Sequence, residues 1–145
     1  MISVLHYDNP IGNSFVDMYA KCGNIKFVRF VFDRMPRKTV VSWNTMIAGY
    51  GIHGHGDDAV ALFYQIEKAG FKPDYITFIA LLSACSHAGL VDKGREYFDC
   101  MSRDYNIRPI MEHYSCMVDL LGRAACFNEA RDFIKDTPLK PSVDV

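Results

Sequence analysis

Four segments of this chain align with one another, and an internal repeat constrains a fold more strongly than any other feature of a sequence. Each segment ends at a small residue, and these residues are Gly23, Gly54, Gly89 and Ala125. Their separations are 31, 35 and 36 residues. After each of them, apolar residues recur every three or four positions, which is the spacing of one helical face. The pattern predicts four units of two helices each.

Glycine and proline mark where these helices end. Every second segment runs into a proline, namely Pro36, Pro73, Pro109 and Pro138. A proline and the residue before it disfavour the α conformation, so a helix is expected to end shortly before each. The three glycines stand where the first helix of a unit ends and a left-handed C-cap is favourable. The candidate N-caps of the second helices are Asn24, Asp57, Asp92 and Asn128.

No segment shows the alternating, β-branched pattern of strands bounded by hairpin turns, so the predicted fold is all-α. A single helix pair cannot bury its own apolar face, and repeated pairs must therefore stack on one another. The prediction is an α-solenoid of stacked helix-turn-helix repeats.

Composition narrows the function classes. The chain has 145 residues, of which 16 are basic and 17 acidic, so its formal net charge is −1. A protein that binds nucleic acid through its overall charge would be far more basic, so such a role requires a local stripe of cations.

The five cysteines show no CxxC spacing and are interpreted as reduced thiols. No segment fits a membrane span, and residues 1–13 lack the features of a secretory signal or an organelle transit peptide.

Five motifs identify the type of repeat. They are DMYAKCGN (17–24), VFDRMP (31–36), VVSWNTMIAGY (40–50), LLSACSHAGLV (81–91) and EHYSCMVDLLGRA (112–124). With these motifs the chain resembles the pentatricopeptide repeat family, and specifically the C-terminal portion of a plant-type array of long and short repeats, the PLS class. A tetratricopeptide array would keep a steady 34-residue period and a different signature, and neither is present.

The resemblance implies a register for the units and a right-handed superhelix. The units would span 9–39 (short type), 40–74, 75–110 (long type) and 111–142 (short type). Residues 1–8 would be the remnant of a preceding repeat, and 143–145 the start of a truncated C-terminal extension. Neither terminal unit carries a recognisable polar cap, so self-association through open apolar faces is expected.

The resemblance also implies binding of single-stranded RNA, about one base per repeat, along a groove lined by the first helices. In the family, the fifth and the last residue of each unit face the base. Carried over, the pairs are Asn13 with Thr39, Asn44 with Asp74, Ile79 with Ile110, and Ser115 with Ser142. Only Asn44 with Asp74 matches a pairing that in the family favours uridine. The pair of isoleucines has no hydrogen-bonding side chain at all.

Two further positions of each unit belong to the implied groove. An aliphatic second residue packs against the base, and Val41 and Ile76 suit this role whereas Pro10 and Glu112 do not. A cation two places before the Gly or Ala mark contacts the RNA backbone. The residues at that place are Lys21, Ile52, His87 and Arg123. Two cations and one titratable group predict modest affinity and a shallow dependence on salt.

Structural alternatives exist for each of these residues. Asn44 could be a helix cap or turn residue, although the repeat register favours base contact. Trp43 could stack on a base, but its apolar neighbours favour the core between repeats. A metal site is suggested by the residue types of one cluster, His53, His55, Asp57 and Asp58. The cluster lies in a short turn between two helices with no cysteine nearby, which argues against a metal site. Cys85 and His87 lie two apart on one helix and point to different faces, so Cys85 is interpreted as structural.

No catalytic motif accompanies the repeats, and the chain is predicted to be neither an enzyme nor a cofactor-binding protein. Plant-type arrays of this family often carry a deaminase-like domain, whose zinc chemistry needs His-x-Glu and Pro-Cys-x-x-Cys, and neither motif is present. The implied role is a fragment of an RNA-editing or RNA-processing factor of mitochondria or chloroplasts, acting with other such proteins. The alternative is a helical-repeat scaffold that binds a protein partner or a second copy of itself.

Overall fold

The computed structural model describes residues 23–138, and within this range the chain forms seven helices and no strand. The helices are α1 (Ile25–Asp33), α2 (Val40–Ile52), α3 (Gly56–Lys68), α4 (Tyr75–Ala88), α5 (Val91–Tyr105), α6 (Met111–Arg123) and α7 (Phe127–Asp136). Helices α2, α4 and α6 begin at the first residues of the second, third and fourth predicted units. The structure agrees with the all-α prediction.

The glycine and proline signals act as predicted. Gly89 is the C-cap of α4 and has a φ of 71°, in the left-handed region, as Gly23 and Gly54 also do. Ala125 takes the same conformation in the fourth unit with a φ of 63°. Helices α1, α3, α5 and α7 each end two to five residues before the proline that follows them.

The predicted N-caps are right at only one of four places. Asn24 caps α1, since its side chain accepts a hydrogen bond from the backbone N–H of Phe27. The caps of α3, α5 and α7 are His55, Leu90 and Cys126, and none of these makes a side-chain cap hydrogen bond. The N-cap is the residue directly after the left-handed turn residue, and the helix begins two residues after that turn residue. Asp57, Asp92 and Asn128 therefore lie two residues too late to cap, inside the first turn.

The helices form two layers. In the first-helix layer, α4 packs between α2 and α6. In the second layer, α3 packs against α2 and α4, α5 against α4 and α6, and α7 against α6, while α1 packs against α2. Each second helix thus lies in the groove between two first helices where both are described. This stacking leaves one side of the first-helix layer uncovered along α2, α4 and α6.

Aromatic side chains fill the boundary between successive units. Trp43 is buried between Phe32 of α1 and Phe71 after α3, with ring centroids 5.1 Å and 6.1 Å away. Trp43 therefore belongs to the core, as predicted, and not to a stacking surface. The next two boundaries hold the clusters Phe63, Phe78, Tyr97 and Tyr105, and Phe98, Tyr114 and Phe133.

Between residues 23 and 138 there is no helix with the length and apolar character needed to cross a bilayer. Four cysteines of this range, Cys85, Cys100, Cys116 and Cys126, are free thiols.

Candidate nucleic-acid interface

The uncovered side of the first-helix layer carries one stripe of residues per helix. On α2 the stripe is Val41, Asn44, Thr45, Ala48 and Ile52, whose spacing of three and four residues follows one helical face. The same steps on α4 give Ile76, Ile79, Ala80, Ser83 and His87, and on α6 they give Glu112, Ser115, Cys116, Asp119 and Arg123. Every sequence-predicted site residue on these helices lies on one of the three stripes.

The stripes of α2 and α4 meet around a cavity of about 390 Å³, which we call the Asn44 pocket. It is lined by Val41, Asn44, Thr45, Ala48, Ile52, Asp74, Ile76, Ile79, Ala80 and Ser83. Val41 and Ile76 are 50% and 46% exposed, which is unusual for aliphatic residues unless something covers them. The structure therefore brings together Asn44, Asp74 and Val41, predicted for the second unit, and Ile76, predicted for the third.

The Asn44 amide is held at one end by Asp74, the last residue of its own unit, and at the other by Thr77 of the next unit. Asn44 as a whole residue is only 6% exposed. The amide nitrogen Nδ2 donates to Asp74 Oδ1 at 3.1 Å, and the amide oxygen Oδ1 accepts from the Thr77 hydroxyl at 2.6 Å. An amide has two N–H donors and two oxygen lone pairs, so one donor and one lone pair remain after these bonds. The group can present both to a ligand in the pocket.

Asp74 owes its position to the start of α4. It is the N-cap of this helix, and its Oδ1 accepts from the backbone N–H of Thr77 at 3.0 Å. In return, the backbone N–H of Asp74 donates to the Thr77 hydroxyl oxygen at 2.9 Å, which completes a capping box. The last residue of one unit is thus fixed by the third residue of the next helix.

The third residue of each first helix is polar and fully buried. These residues are Ser42, Thr77 and His113, and each accepts the backbone N–H of the residue that precedes its helix, at 2.9 to 3.0 Å. Thr77 and His113 also bond to the preceding unit, to Asn44 and to the backbone oxygen of Tyr75 respectively. Sequence reasoning missed these residues. Their signal was a polar residue at the third position of the second, third and fourth units, within an apolar helix.

His113 is held as a neutral imidazole. Its Nδ1 accepts the backbone N–H of Ile110 at 2.9 Å, so the proton lies on Nε2, which donates to the Tyr75 carbonyl at 2.9 Å. Burial away from water disfavours the charged ring and lowers the pKa of His113 from its ordinary value of 6.5, against the hydrogen bond to Tyr75.

The remaining predicted pairs are less complete. Thr39 is the N-cap of α2, where its hydroxyl faces Ser42, and its partner Asn13 lies outside the described residues, as do Ser142 and Lys21. Ile79 lines the Asn44 pocket, and Ile110 precedes α6. Ser115 is exposed and lines a separate cavity between α6 and α7. Those of them within residues 23–138 do not form a second site like that around Asn44.

The two described candidates for backbone contact are on the expected stripe. His87 is exposed near the end of α4. Arg123 is exposed at the end of α6, and its Nε lies 3.1 Å from the carboxylate of Asp119 one turn earlier. A hydrogen bond from the Ser86 hydroxyl, together with the Arg123 ion pair, lowers the pKa of Asp119. Asp119 therefore stays ionised and offsets part of the positive charge that Arg123 offers to a phosphate.

Two candidate sites from the sequence lie outside this surface, namely the thiol of Cys85 and the His and Asp residues between positions 53 and 58. Cys85 is fully buried, and burial raises the pKa of its thiol to about 12, so it is not a nucleophile at neutral pH. His55 forms an exposed 3.7 Å contact with Asp58. In residues 23–138, no three His, Cys, Asp or Glu side chains are grouped as metal ligands would be.

Models of a known repeat family match most of the sequence that forms this surface. Residues 38–87 match the PPR repeat family, and residues 13–40 and 76–105 each match the PPR repeat. The matched segments run together from residue 13 to residue 105, which includes the whole of the Asn44 pocket.

Relatives of Arabidopsis thaliana extend the match. One pentatricopeptide repeat-containing protein is 47% identical over 138 residues, 95% of this chain and 22% of that protein. A mitochondrial one is 50% identical over 128 residues, 88% of this chain and 23% of the relative. A chloroplastic one is 50% identical over 145 residues, 100% of this chain and 18% of the relative. The chain spans about a fifth of the length of the curated relatives it matches.

Solved structures show the same fold. The crystal structure of the pentatricopeptide repeat protein PPR10 from maize has a TM-score of 0.74 at 24% identity, over 87% of this chain and 18% of that one. A structure of PPR10 in complex with an 18-nt psaJ RNA element has a TM-score of 0.80 at 22% identity, over 90% of this chain and 20% of that one. The predicted α-solenoid of stacked helix pairs is confirmed.

Proposed function

Because the chain belongs to the pentatricopeptide repeat family, we propose that the uncovered side of its first-helix layer binds single-stranded RNA. The carrying observation is the Asn44 pocket, where an amide held in one orientation faces a cavity with two exposed aliphatic walls. We propose that Asn44 and Asp74 read one base, with uridine preferred, and that Val41 and Ile76 cover its faces. The solved structure of PPR10 in complex with an 18-nt psaJ RNA element supports this use of the fold.

The other units contribute less to the proposed contact. Thr39 with Asn13 and Ser115 with Ser142 are proposed as base-facing pairs, and Ile79 with Ile110 as a pair without a polar contact. Lys21, His87 and Arg123 are proposed to face the RNA backbone. Because Arg123 already pairs with Asp119, we expect few counterions to be released and a shallow salt dependence.

The strength of binding can be bounded. Four units hold at most four bases, and each stacked base contributes on the order of 1–3 kcal/mol. The loss of translational and rotational freedom on association opposes this by at least ~4 kcal/mol. We therefore expect a Kd no tighter than about micromolar for a short single strand. Fluorescence anisotropy with the 145-residue chain and a labelled octamer measures it. Nanomolar binding to an RNA of arbitrary sequence would contradict the proposed register.

The pocket walls also suit an apolar side chain of a protein, since Ile52 and Ile79 lie beside Val41 and Ile76. A scaffold that binds a partner or another copy through this surface is therefore the second candidate function. Asn44→Ala separates the two proposals. If the pocket reads RNA, this substitution should abolish the preference for one base at the site. If the pocket holds a protein side chain, the affinity for RNA should not change.

The wider role is proposed from the relatives. Their names place one in mitochondria and one in chloroplasts, and we propose an organellar address for the longer protein to which these repeats correspond. We further propose that the repeats supply recognition, without catalysis, to RNA editing or processing carried out with other proteins. Organelle fractionation and comparison of transcripts from plants with and without the protein test both points.

A further inference from the structure

Resting on the base-reading role proposed for Asn44, we propose that the Thr77 hydroxyl is a positioning group that decides between the two pyrimidines. Thr77 is the third residue of α4, and it is fully buried below the Asn44 pocket without lining it. It meets Asn44 across the boundary between two units, 33 residues along the chain. It acts on a bound base only through the amide of Asn44.

The hydrogen-bond pattern gives the amide a single orientation. The Thr77 hydroxyl has one proton, and it accepts the backbone N–H of Asp74 on its oxygen. Its possible acceptors are Asn44 Oδ1 at 2.6 Å and Asp74 Oδ1 at 3.0 Å. The shorter contact directs the proton to the amide oxygen. The carboxylate of Asp74 can only accept, so it requires the amide nitrogen on its side.

This orientation matters because the two pyrimidines are opposite at the same place. Uracil offers an N–H donor at N3 beside an oxygen acceptor at position 4, whereas cytosine offers an acceptor at N3 beside an amino donor. An amide that is turned by 180° exchanges its own donor and acceptor. A fixed Asn44 therefore pairs with one of these edges, and an amide free to turn accepts both. The Thr77 hydroxyl and Asp74 together prevent the turn.

The test variant is Thr77→Val, which keeps the branched shape and removes the hydroxyl. Asp74 remains, so discrimination is expected to weaken but not to vanish. The ratio of Kd for cytidine to Kd for uridine at the site should fall by about fivefold, the factor that corresponds to one neutral hydrogen bond. Thr77→Ser keeps a hydroxyl and should restore most of the wild-type ratio.

A matched control removes the structural contribution. Thr77 also completes the capping box of α4, so Thr77→Val weakens the start of that helix. Ser42 completes the equivalent box at α2, where its hydroxyl oxygen accepts the backbone N–H of Thr39 at 3.0 Å, and it has no bond to Asn44. Ser42→Ala should lower the thermal unfolding midpoint in a similar way and leave the pyrimidine ratio unchanged.

The experiment uses the 145-residue chain and two sets of octamers in which a single position, moved along the strand, is uridine or cytidine. Competition anisotropy gives the ratio for wild type and each variant. A lower ratio in Thr77→Val, restored in Thr77→Ser and unchanged in Ser42→Ala, supports the proposal. An unchanged ratio in Thr77→Val, when Asn44→Ala abolishes it, overturns this inference alone. A ratio that survives in Asn44→Ala overturns the base-reading function itself.

Discussion

Asn44 combines a structural and a proposed binding role in one side chain. A buried amide without partners would destabilise the fold, and this amide has a partner at each end, Asp74 at the end of its own unit and Thr77 in the next. One N–H and one lone pair nevertheless remain for the pocket. The sequence alternative of a helix cap is wrong, because Thr39 is the cap of α2 and Asn44 lies in the helix interior. Asn44 links two units from the interior of α2, and its place at their boundary makes its amide available to a ligand in the pocket.

Replacing Asn44 with serine while keeping Asp74 tests its proposed role. The shorter hydroxyl leaves room for the larger edge of a purine, and the family pairing of serine with aspartate points to guanine. We expect preference at the site to move from uridine toward guanosine by about five- to tenfold, comparable with one or two hydrogen bonds. Binding is measured with RNAs that differ only at this base. Equal preferences of wild type and variant would remove Asn44 from the proposed site.

At the scale of a helix, boundaries were more predictable than caps. The prolines and glycines gave the loops correctly because their backbone restrictions are local and act in any context. The caps Asp57, Asp92 and Asn128 were wrong because the turn residue, not residue type, sets where the next helix begins. A cap prediction that counted from Gly54 would have placed the N-cap of α3 at His55.

The start of α6 predicts a dependence of stability on pH. His113 is neutral in the folded protein, where burial lowers its pKa, while the unfolded chain titrates near the ordinary value of 6.5. Below that pH the unfolded state binds more protons than the folded state. The free energy of unfolding should therefore be fully present above pH 6.5 and decrease as the pH falls through it.

Urea unfolding followed by circular dichroism at pH 7.5 and 5.5 measures this dependence. His113→Asn keeps a short acceptor for the Ile110 N–H but cannot be protonated, so its unfolding midpoint should change less between the two pH values. His87→Asn, at an exposed position on α4, is the control and should retain the wild-type dependence. Identical pH profiles for wild type and His113→Asn would show that His113 does not carry the effect.

Close helix packing gives a second prediction at this scale. A Cβ on Gly56, the first residue of α3, would lie 2.5 Å from Cβ of Ala88 at the end of α4. The Ala88 methyl group is fixed to the backbone, so Gly56→Ala should move one helix and destabilise the fold by about 1–3 kcal/mol.

Gly122 provides the matched control, because a Cβ at this position in α6 has nothing within 4 Å. Gly122→Ala should stabilise the protein by up to about 1 kcal/mol, the gain in helix propensity. Thermal unfolding of both variants checks the pair. A Gly56→Ala protein as stable as Gly122→Ala would mean that α3 and α4 are further apart than described.

For the whole molecule, the repeat pattern predicted the stack but not the polar bonds that cross it. Apolar periodicity and spacing are contained in one unit, so four aligned segments suffice to predict the solenoid and its aromatic core around Trp43. The links from Asn44 to Thr77 and from Ser86 to Asp119 join residues 33 positions apart. Their geometry depends on how one unit is rotated against the next. The sequence could show only that polar residues recur at these positions.

The exposed surface at α6 and α7 predicts self-association. Met111 and Ile134 are 42% and 55% exposed, and with Tyr114 and Val118 they line a largely apolar cavity of about 440 Å³. On α2 and α3, the equivalent surface is covered by α4 of the next unit. An apolar surface of this kind favours contact with another molecule, and stacking of unlike faces has no symmetry that stops it at a dimer. The average mass should therefore rise steadily with protein concentration.

Sedimentation velocity over a hundredfold range of concentration measures this association. Ile134→Lys places a charge in the centre of the patch and should shift the distribution toward monomer. Lys is also introduced, as a control, at Thr45, which lies on the stripe of α2 and in the Asn44 pocket. Thr45→Lys leaves the patch at α6 and α7 intact, so its association should match that of wild type. A wild-type chain that remains monomeric at the highest concentration would show that the surface of α6 and α7 does not mediate self-association. If Ile134→Lys and Thr45→Lys shift the oligomers to monomer equally, the contact between chains also involves the Asn44 pocket, as the scaffold function would require.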